Sequence, residues 1–472
     1  MGTLTSVLDI AQQALMTDQF ALNVTANNVA NQNTPGYTRE VVNFATEDSV
    51  SLSGGVQSTG VTATESSQRD RVLEQRVQQQ TQAVAQSGAL GSALQQVENI
   101  FGLSSTSSTA NSSAVTSSAL GSAINGLFTS LSALEGDPSG TATRQSVLAA
   151  AAGLAGAFNT ASNQLTQLSS SLNQQVSSDA TQVNALTSSI ASLNGQIASI
   201  SPTGDAGTLE DQRQQDIAQL SQLVGLDQIS TSQNGISLTT SGGALLVSGN
   251  QSFAMSTTQV GGNTHVMAGD PPQDVTANLT GGDLGGTLQA RDQNLATYSS
   301  QLDNLAFSLG TAVNQQNEAG IDSNGNPGQA IFSLPPTQTG AAALITVSAT
   351  GPAAVAAATT GEGSSGNDNA TALANLATAN TVGSQTATGF LASFLGQVGS
   401  DASTVTTENT GQQATLTQLT TQRDSLSVVS TDQEAANLTE FQRSYQASSE
   451  VFNIVNTLMA SAINLGEETT VS

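Results

Sequence analysis

One apolar stripe constrains this chain more than any other feature. Leu148, Ala151, Ala155, Phe158, Ser162, Leu165, Ser169, Leu172, Val176, Asp179, Val183, Leu186, Ile190, Leu193, Ile197 and Ile200 follow one another in alternating steps of three and four. Thirteen of these sixteen positions are apolar, so a single helical face persists through the run. The spacing predicts one helix over 140–200, roughly 90 Å long at about 1.5 Å per residue. Pro202 is its expected stop. A rod of that length needs partner helices along its whole length to cover the stripe.

The two ends of the chain carry stripes of the same kind. At the N-terminus they run Leu4, Leu8, Ala11, Leu15, Asp18, Leu22, Thr25 and Val29, and at the C-terminus Leu438, Phe441, Tyr445, Ser448, Phe452, Val455, Met459 and Ala462. Matching stripes predict that the ends pair as a coiled coil, with the rest of the chain looped out between them. Between them, helix is expected from about Glu65 to 102, around 120–134, over 209–225, from Gly286 to 312, and over 369–399 and 401–426. Residues 104–118 read as a Ser/Thr-rich connection. Residues 41–64, 227–282 and 320–366 are Gly-punctuated, β-prone text. The fold class is therefore mainly α with β inserts, in an elongated multi-domain chain. Its expected parts are a terminal coiled coil (1–35 and 432–472), a long helical rod domain (36–225, 283–319 and 367–431) and outer β-rich inserts (226–282 and 320–366).

Composition narrows the function classes. The chain has 472 residues and a formal net charge of −26, and its nine basic residues are all Arg. An acidic surface repels phosphate, which argues against nucleic acid and anionic membranes as partners. Cysteine is absent, which removes disulfides, thiolate zinc sites and Cys nucleophiles. The first residues lack a basic n-region with a continuous apolar run, so no cleaved secretory signal is expected.

No catalytic, cofactor-binding or metal-binding set emerges. His265 is the single histidine, too few for HExxH zinc chemistry. Without Lys there is no P-loop lysine and no Schiff base. GGDLGG at 281–286 reads as a close-approach turn before a helix. Asp322-Ser-Asn324-Gly-Asn326 begins like an oxygen-rich cation loop but has Ser333 where an EF-hand needs Glu, so it reads as a tight turn. Glu210-Asp211-Gln212-Arg213 and Arg291-Asp292 read as capping and surface pairing.

A block of side-chain amides ends the N-terminal stripe: Asn23, Asn27, Asn28, Asn31 and Asn33, then Thr34-Pro35-Gly36-Tyr37. Asn is a poor helix-interior residue. Such a block is either a helix stop whose amides cap free carbonyls, or a set of donors and acceptors for a neighbouring subunit.

The stretch ANNVANQNTPGYTRE resembles the N-terminal signature of the bacterial flagellar axial proteins. EAANLTEFQRSYQASSEVFNIVNTLMASAINL resembles their C-terminal signature. Within that group the middle is similar to the hook-associated protein 1 family, through VENIFG at 97–102, DPSGTATRQSVL at 137–148, LNGQIASI at 193–200, LEDQRQQDIAQLSQLVG at 209–225, the block 281–325 and GNDNA at 366–370. The absence of Lys and the step SVVSTDQEAAN depart from the family pattern.

The resemblance implies a structural axial component at the hook–filament junction, not an enzyme. It would be exported by the flagellar type III apparatus and located outside the cell. Expected partners are further copies of itself in a ring, the hook protein, the second junction protein and an export chaperone. The resemblance also implies that the terminal helices line the inner tube of the flagellum. The subunit-assembly residues would be Leu4, Leu8, Leu15, Leu22, Asn27, Asn28, Val29, Asn31, Pro35, Gly36, Tyr37, Leu438, Phe441, Tyr445, Phe452 and Val455. Such terminal segments would be weakly ordered alone and fold on assembly. Alternatives are another axial protein, hook or distal rod, or a surface adhesin on a flagellar scaffold.

Overall fold

The computed structural model describes residues 2–34, 36–46, 50–52, 55–57, 60–103, 118–200, 206–230, 235–363 and 365–468. Pro35, the expected stop at Pro202 and all but the last residue of the Ser/Thr-rich connection lie outside the described residues.

Helix α1 (Gly2–Asn31) leads into β1 (Glu40–Thr46), β2 (Val50–Leu52), β3 (Gly55–Gln57) and β4 (Val61–Ser67). β1 and β4 pair antiparallel from Glu40–Ser67 to Thr46–Val61. Helices α2 (Arg71–Phe101), α3 (Ala119–Gly136), α4 (Thr141–Ile200) and α5 (Gly207–Leu223) follow. Strand pairing through Ser67 moves the start of α2 past the expected Glu65. Asp70 sets it instead, by accepting the N–H groups of Val72 and Leu73. At the other end Gly102, at φ 68°, closes the helix in a left-handed cap that few side chains would tolerate.

The 226–282 region holds two small sheets. One has the order β5 (Leu226–Ser230), β6 (Ile236–Thr240), β7 (Leu245–Ser248), β8 (Gln251–Ser252). The other contains β9 (Ser256–Val260), β10 (Asn263–Ala268) and β11 (Gln273–Asp274), with β10 central. Helix α6 (Gly282–Gln289) continues through a π-helical turn, Ala290–Leu295, into α7 (Ala296–Ala319). The glycines of 281–286 permit close approach, as expected. A Cβ on Gly286 would lie 2.2 Å from the Gln86 carbonyl oxygen of α2, and one on Gly282 would lie 2.3 Å from the Val224 nitrogen. Next come β12 (Phe332–Ser333), the short α8 (Ala341–Leu344), β13 (Thr346–Val347), α9 (Asp368–Asn375), α10 (Ala387–Ser427) and α11 (Thr431–Glu468). The break expected near residue 400 does not occur. No proline interrupts α10, and Val398, Ala402 and Val405 keep one buried face across Gly399.

Two cores share α4 as their spine. Its first half, from Val147 to Leu172, packs with α2, α3, α7, α9 and α10. Ile331, Phe332, Ala341, Ile345 and Val355 enter this same core, so the 320–366 insert is built into the helical body. The second half, from Val176 to Ala191, packs with α5, α6 and the sheets through Ile217, Leu238, Val247, Val266 and Leu284. Each half-core buries apolar surface worth about 25 cal/mol per Å², which is what holds so long a helix rigid.

Candidate functional site

α1 and α11 pack side by side. Asn28 of α1 reaches Glu434 at the start of α11, and Ser448 donates to Asp18 at 3.1 Å further along. As numbering falls on one helix it rises on the other, so the pair is antiparallel. One heptad beyond Asp18 and Ser448, Ala11 and Val455 are both buried.

The buried face is not the leucine line. Leu4, Leu8, Leu15 and Leu22 are half-buried and Val29 is exposed, while Ala11, Ala21, Val24, Asp18, Thr25 and Asn28 are covered. On α11, Val455 is buried, Leu438, Phe441 and Phe452 are half-buried, and Tyr445 is exposed. Small residues at the seam let the backbones approach, and the leucines flank it. Phe441 also meets Phe44 of β1, ring centroids 5.9 Å apart, so the hairpin joins the helix pair. Part of the apolar surface stays open to solvent: Met16 at 59% on α1, and Val451, Ile454, Leu458 and Ile463 at 46–56% on α11.

At the top of the pair the amide block and the turn form one polar knot. Asn28 is 1% exposed. Its Nδ2 donates to the Glu40 carbonyl at 2.8 Å and to Glu434 Oε2 at 3.3 Å. Its Oδ1 accepts from the Glu40 N–H and the Tyr37 hydroxyl, each at 3.0 Å. Those four bonds use the full capacity of a carboxamide. The two to Glu40 mimic a paired strand neighbour at the start of β1. Burial, then the nearby Glu40, Asp211 and Glu434 charges, push the Tyr37 phenol well above its usual range, so it remains a donor. Asn31 donates to the Asn27 carbonyl one turn back and accepts from Thr34, which is a helix stop. Asn27 itself is exposed. Gly36 has φ 81°, a left-handed turn that favours glycine.

The knot extends into the rest of the molecule. Arg39 Nε donates to Glu434 Oε1 at 2.7 Å, and the Arg39 N–H donates to the Ser427 carbonyl that ends α10. The Thr38 N–H and hydroxyl donate to the two Asp211 oxygens of α5 at 2.9 and 2.8 Å. Arg69 also pairs with Asp211, and lies 3.7 Å from Glu210. Burial raises the Asp211 carboxyl above its ordinary range, against the pull of Thr38 and Arg69. The Glu210–Arg213 run is thus a buried tie and not a surface pair. Arg291 does pair with Asp292, at 2.7 and 2.8 Å, but is itself 3% exposed and also donates to Asn173 and to the Thr264 carbonyl. Local sequence could not separate these cases, because partners from distant segments decide the burial. The signal available was scarcity: of only nine basic residues, Arg144, Arg213 and Arg291 are buried.

The remaining candidates are structural. His265 Nδ1 lies 2.6 Å from Asp274, whose carboxyl is held at about 2 by Thr276 and His265. The Thr276 hydroxyl donates to that acid, so it is not poised by the imidazole. Asp322 accepts the N–H groups of Asn324 and Asn326, a tight turn. Among the described residues no group of three or more His, Asp or Glu side chains is placed to hold a metal ion, and no helix is long and apolar enough to cross a membrane.

The paired terminal helices coincide with two family models that mark the class of flagellar axial proteins. Family models described as flagella basal body rod protein and flagellar basal body rod FlgEFG protein C-terminal match residues 8–38 and 423–465. The chain belongs to the flagellar hook-associated protein FlgK family, whose helical-domain model matches residues 94–332. It is 28% identical to flagellar hook-associated protein 1 of Bacillus subtilis strain 168, over 97% of each chain. It is 26% identical to the Escherichia coli K12 protein of that name, over 70% of this chain, and the match spans only 60% of that relative's length. The structure of the flagellar hook junction protein FlgK from Burkholderia pseudomallei superposes with a TM-score of 0.66 over 74% of this chain and 99% of that one, at 20% identity. That last likeness concerns the fold.

Proposed function

We propose that this chain is a structural, non-catalytic axial component of the flagellum and forms the junction between hook and filament. The observation that carries the proposal is the α1–α11 pair, which leaves Met16, Val451, Ile454, Leu458 and Ile463 open to solvent. An isolated helix pair gains nothing from such a stripe. A ring of copies covers it from both sides, and burial of that surface drives the assembly. Leu4, Leu8, Leu15, Leu22, Val29, Leu438, Phe441, Tyr445 and Phe452 are only partly covered or exposed within the chain and complete this inter-subunit surface. Asn28, Tyr37 and Gly36 act indirectly: they set the angle at which the helix pair leaves the body. Export occurs through the flagellar type III apparatus with a chaperone, and the ring meets the hook protein on one side and the second junction protein on the other.

Electron microscopy of a strain lacking the gene, with flagellin assayed in the medium, tests the reading. Hooks without filaments, and flagellin lost outside, are expected. Missing hooks would place the chain in the hook or distal rod instead. Normal filaments would overturn the junction role and leave an adhesin role for the inserts to be screened.

A further inference from the structure

Between Asp227 and Asp270 the chain carries no acidic or basic residue apart from His265. In a chain of net charge −26, that neutral stretch builds most of the two sheets of the 226–282 region. Three of their four edges are closed. β5 carries Asp227, and its Leu226 carbonyl accepts from Gln82 of α2 at 3.2 Å. β8 has only two residues. β11 is as short, contains Asp274 and follows Pro271-Pro272. Short strands, charges and prolines are the usual means of keeping a sheet edge from pairing. β9 has none of them. Its five residues, Ser256-Thr257-Thr258-Gln259-Val260, are all exposed, whereas burial alternates along β10. Among the described residues, no backbone group of β9 has a hydrogen bond outside its ladder with β10.

This open edge is held in place at both ends by α4. Asn184 donates to the Met255 carbonyl and accepts the Met255 N–H, both at 2.7 Å, just before β9 begins. Past its end, Asn173 accepts the Thr264 N–H at 2.8 Å and donates to the Gly262 carbonyl at 3.3 Å. Residues 173 and 184 stand about 16 Å apart along the helix, and a five-residue strand spans about 17 Å. The β9 backbone is therefore ordered before any partner arrives, which removes part of the cost of binding.

We propose that β9 is a strand-addition edge, and that its occupant is β9 of a second copy of this chain, antiparallel about Thr258. Two copies of so acidic a chain repel one another over most of their surface. At this edge they meet with no charge on either strand. Pairing about Thr258 sets Thr258 against itself, Thr257 against Gln259 and Ser256 against Val260, so threonine and β-branched side chains lie across from one another. Main-chain bonds supply the affinity. Five residues a side make a small contact, so the association is weak and depends on concentration. A two-fold contact differs from the head-to-tail contact of a ring. It joins copies of separate rings and does not rest on the junction role.

The test uses the full chain with Ile454→Ser and Leu458→Ser, which removes the open α11 stripe as a source of self-association. Sedimentation is expected to show a monomer–dimer equilibrium, and Thr258→Lys, which sets two ammonium groups face to face, is expected to abolish the dimer. The chain has no cysteine, so a single Thr258→Cys reports the contact directly. Mild oxidation should link two copies through it, and should not link copies carrying Gln273→Cys on the closed edge. A monomer at every concentration, a dimer that survives Thr258→Lys, or equal cross-linking at the two positions would overturn the proposal. Binding of an unrelated extended peptide to β9 by a chain that stays monomeric would overturn it too, by giving the edge a different occupant.

Discussion

Asn28 was legible in the sequence as one of a block of amides that closes the N-terminal stripe. Its partners were not, since Glu434 lies 406 residues away. Asn28→Ala removes four bonds and strands Glu434 Oε2 and the Glu40 backbone, so it should cost about 2–4 kcal/mol in urea denaturation. Asp179 makes a second prediction. It sits on the apolar stripe of α4, fully buried, with one oxygen unpaired. Burial first, then Asp283, raise its carboxyl to about 6, against the Gln175 hydrogen bond. The native state thus keeps a proton that the unfolded chain releases near 3.8. The stability it contributes is complete below about pH 4 and lost as pH rises through about 6. Asp179→Asn should therefore be more stable than the parent at pH 8, by about 3 kcal/mol, with the gap closing by pH 4. Paired melts at the two pH values check this. An Asp on such a stripe reads as a flaw in sequence, and only its burial in the fold, with Asp283 nearby, shows what the flaw does.

The elements follow from their periodicity where packing is regular. The stripe placed α4 at 140–200, and the helix runs Thr141–Ile200. Three-four spacing states which face is buried before any partner is known. Helix ends were less legible. The start of α2 depends on β1–β4 pairing and the Asp70 cap, and the continuity of α10 depends on a face that Gly399 does not interrupt. Because α4 serves both cores, Ile190→Ala in one and Leu165→Ala in the other should each cost about 2–5 kcal/mol, measured by denaturation. Arg39→Gln acts at the element level too. It should reduce amide-exchange protection in the first turns of α11, where Glu434 loses its ion pair, and leave α4 protected.

At the scale of the molecule, the open stripe on α11 separates assembly from folding. Ile454→Ser with Leu458→Ser should change monomer stability by no more than about 0.5 kcal/mol per site, as exposed substitutions do. The same pair should abolish the ring, and motility with it, as read by electron microscopy and swimming assays. Loss of monomer stability instead would mean that the stripe belongs to the fold.

The sequence by itself determined the helical rod, the matched terminal stripes and the absence of Cys and Lys chemistry. Each of these is local or compositional, set by spacing along the chain or by which residues exist. Only the tertiary structure decided that the helix pair seats Ala11, Ala21 and Val24 and not its leucines. It also decided that the 320–366 insert joins the helical core, and that Asn28, Arg39, Thr38 and Asp211 lock one turn to three helices. These depend on which distant segments meet, and no periodicity along one segment records its partner across the fold.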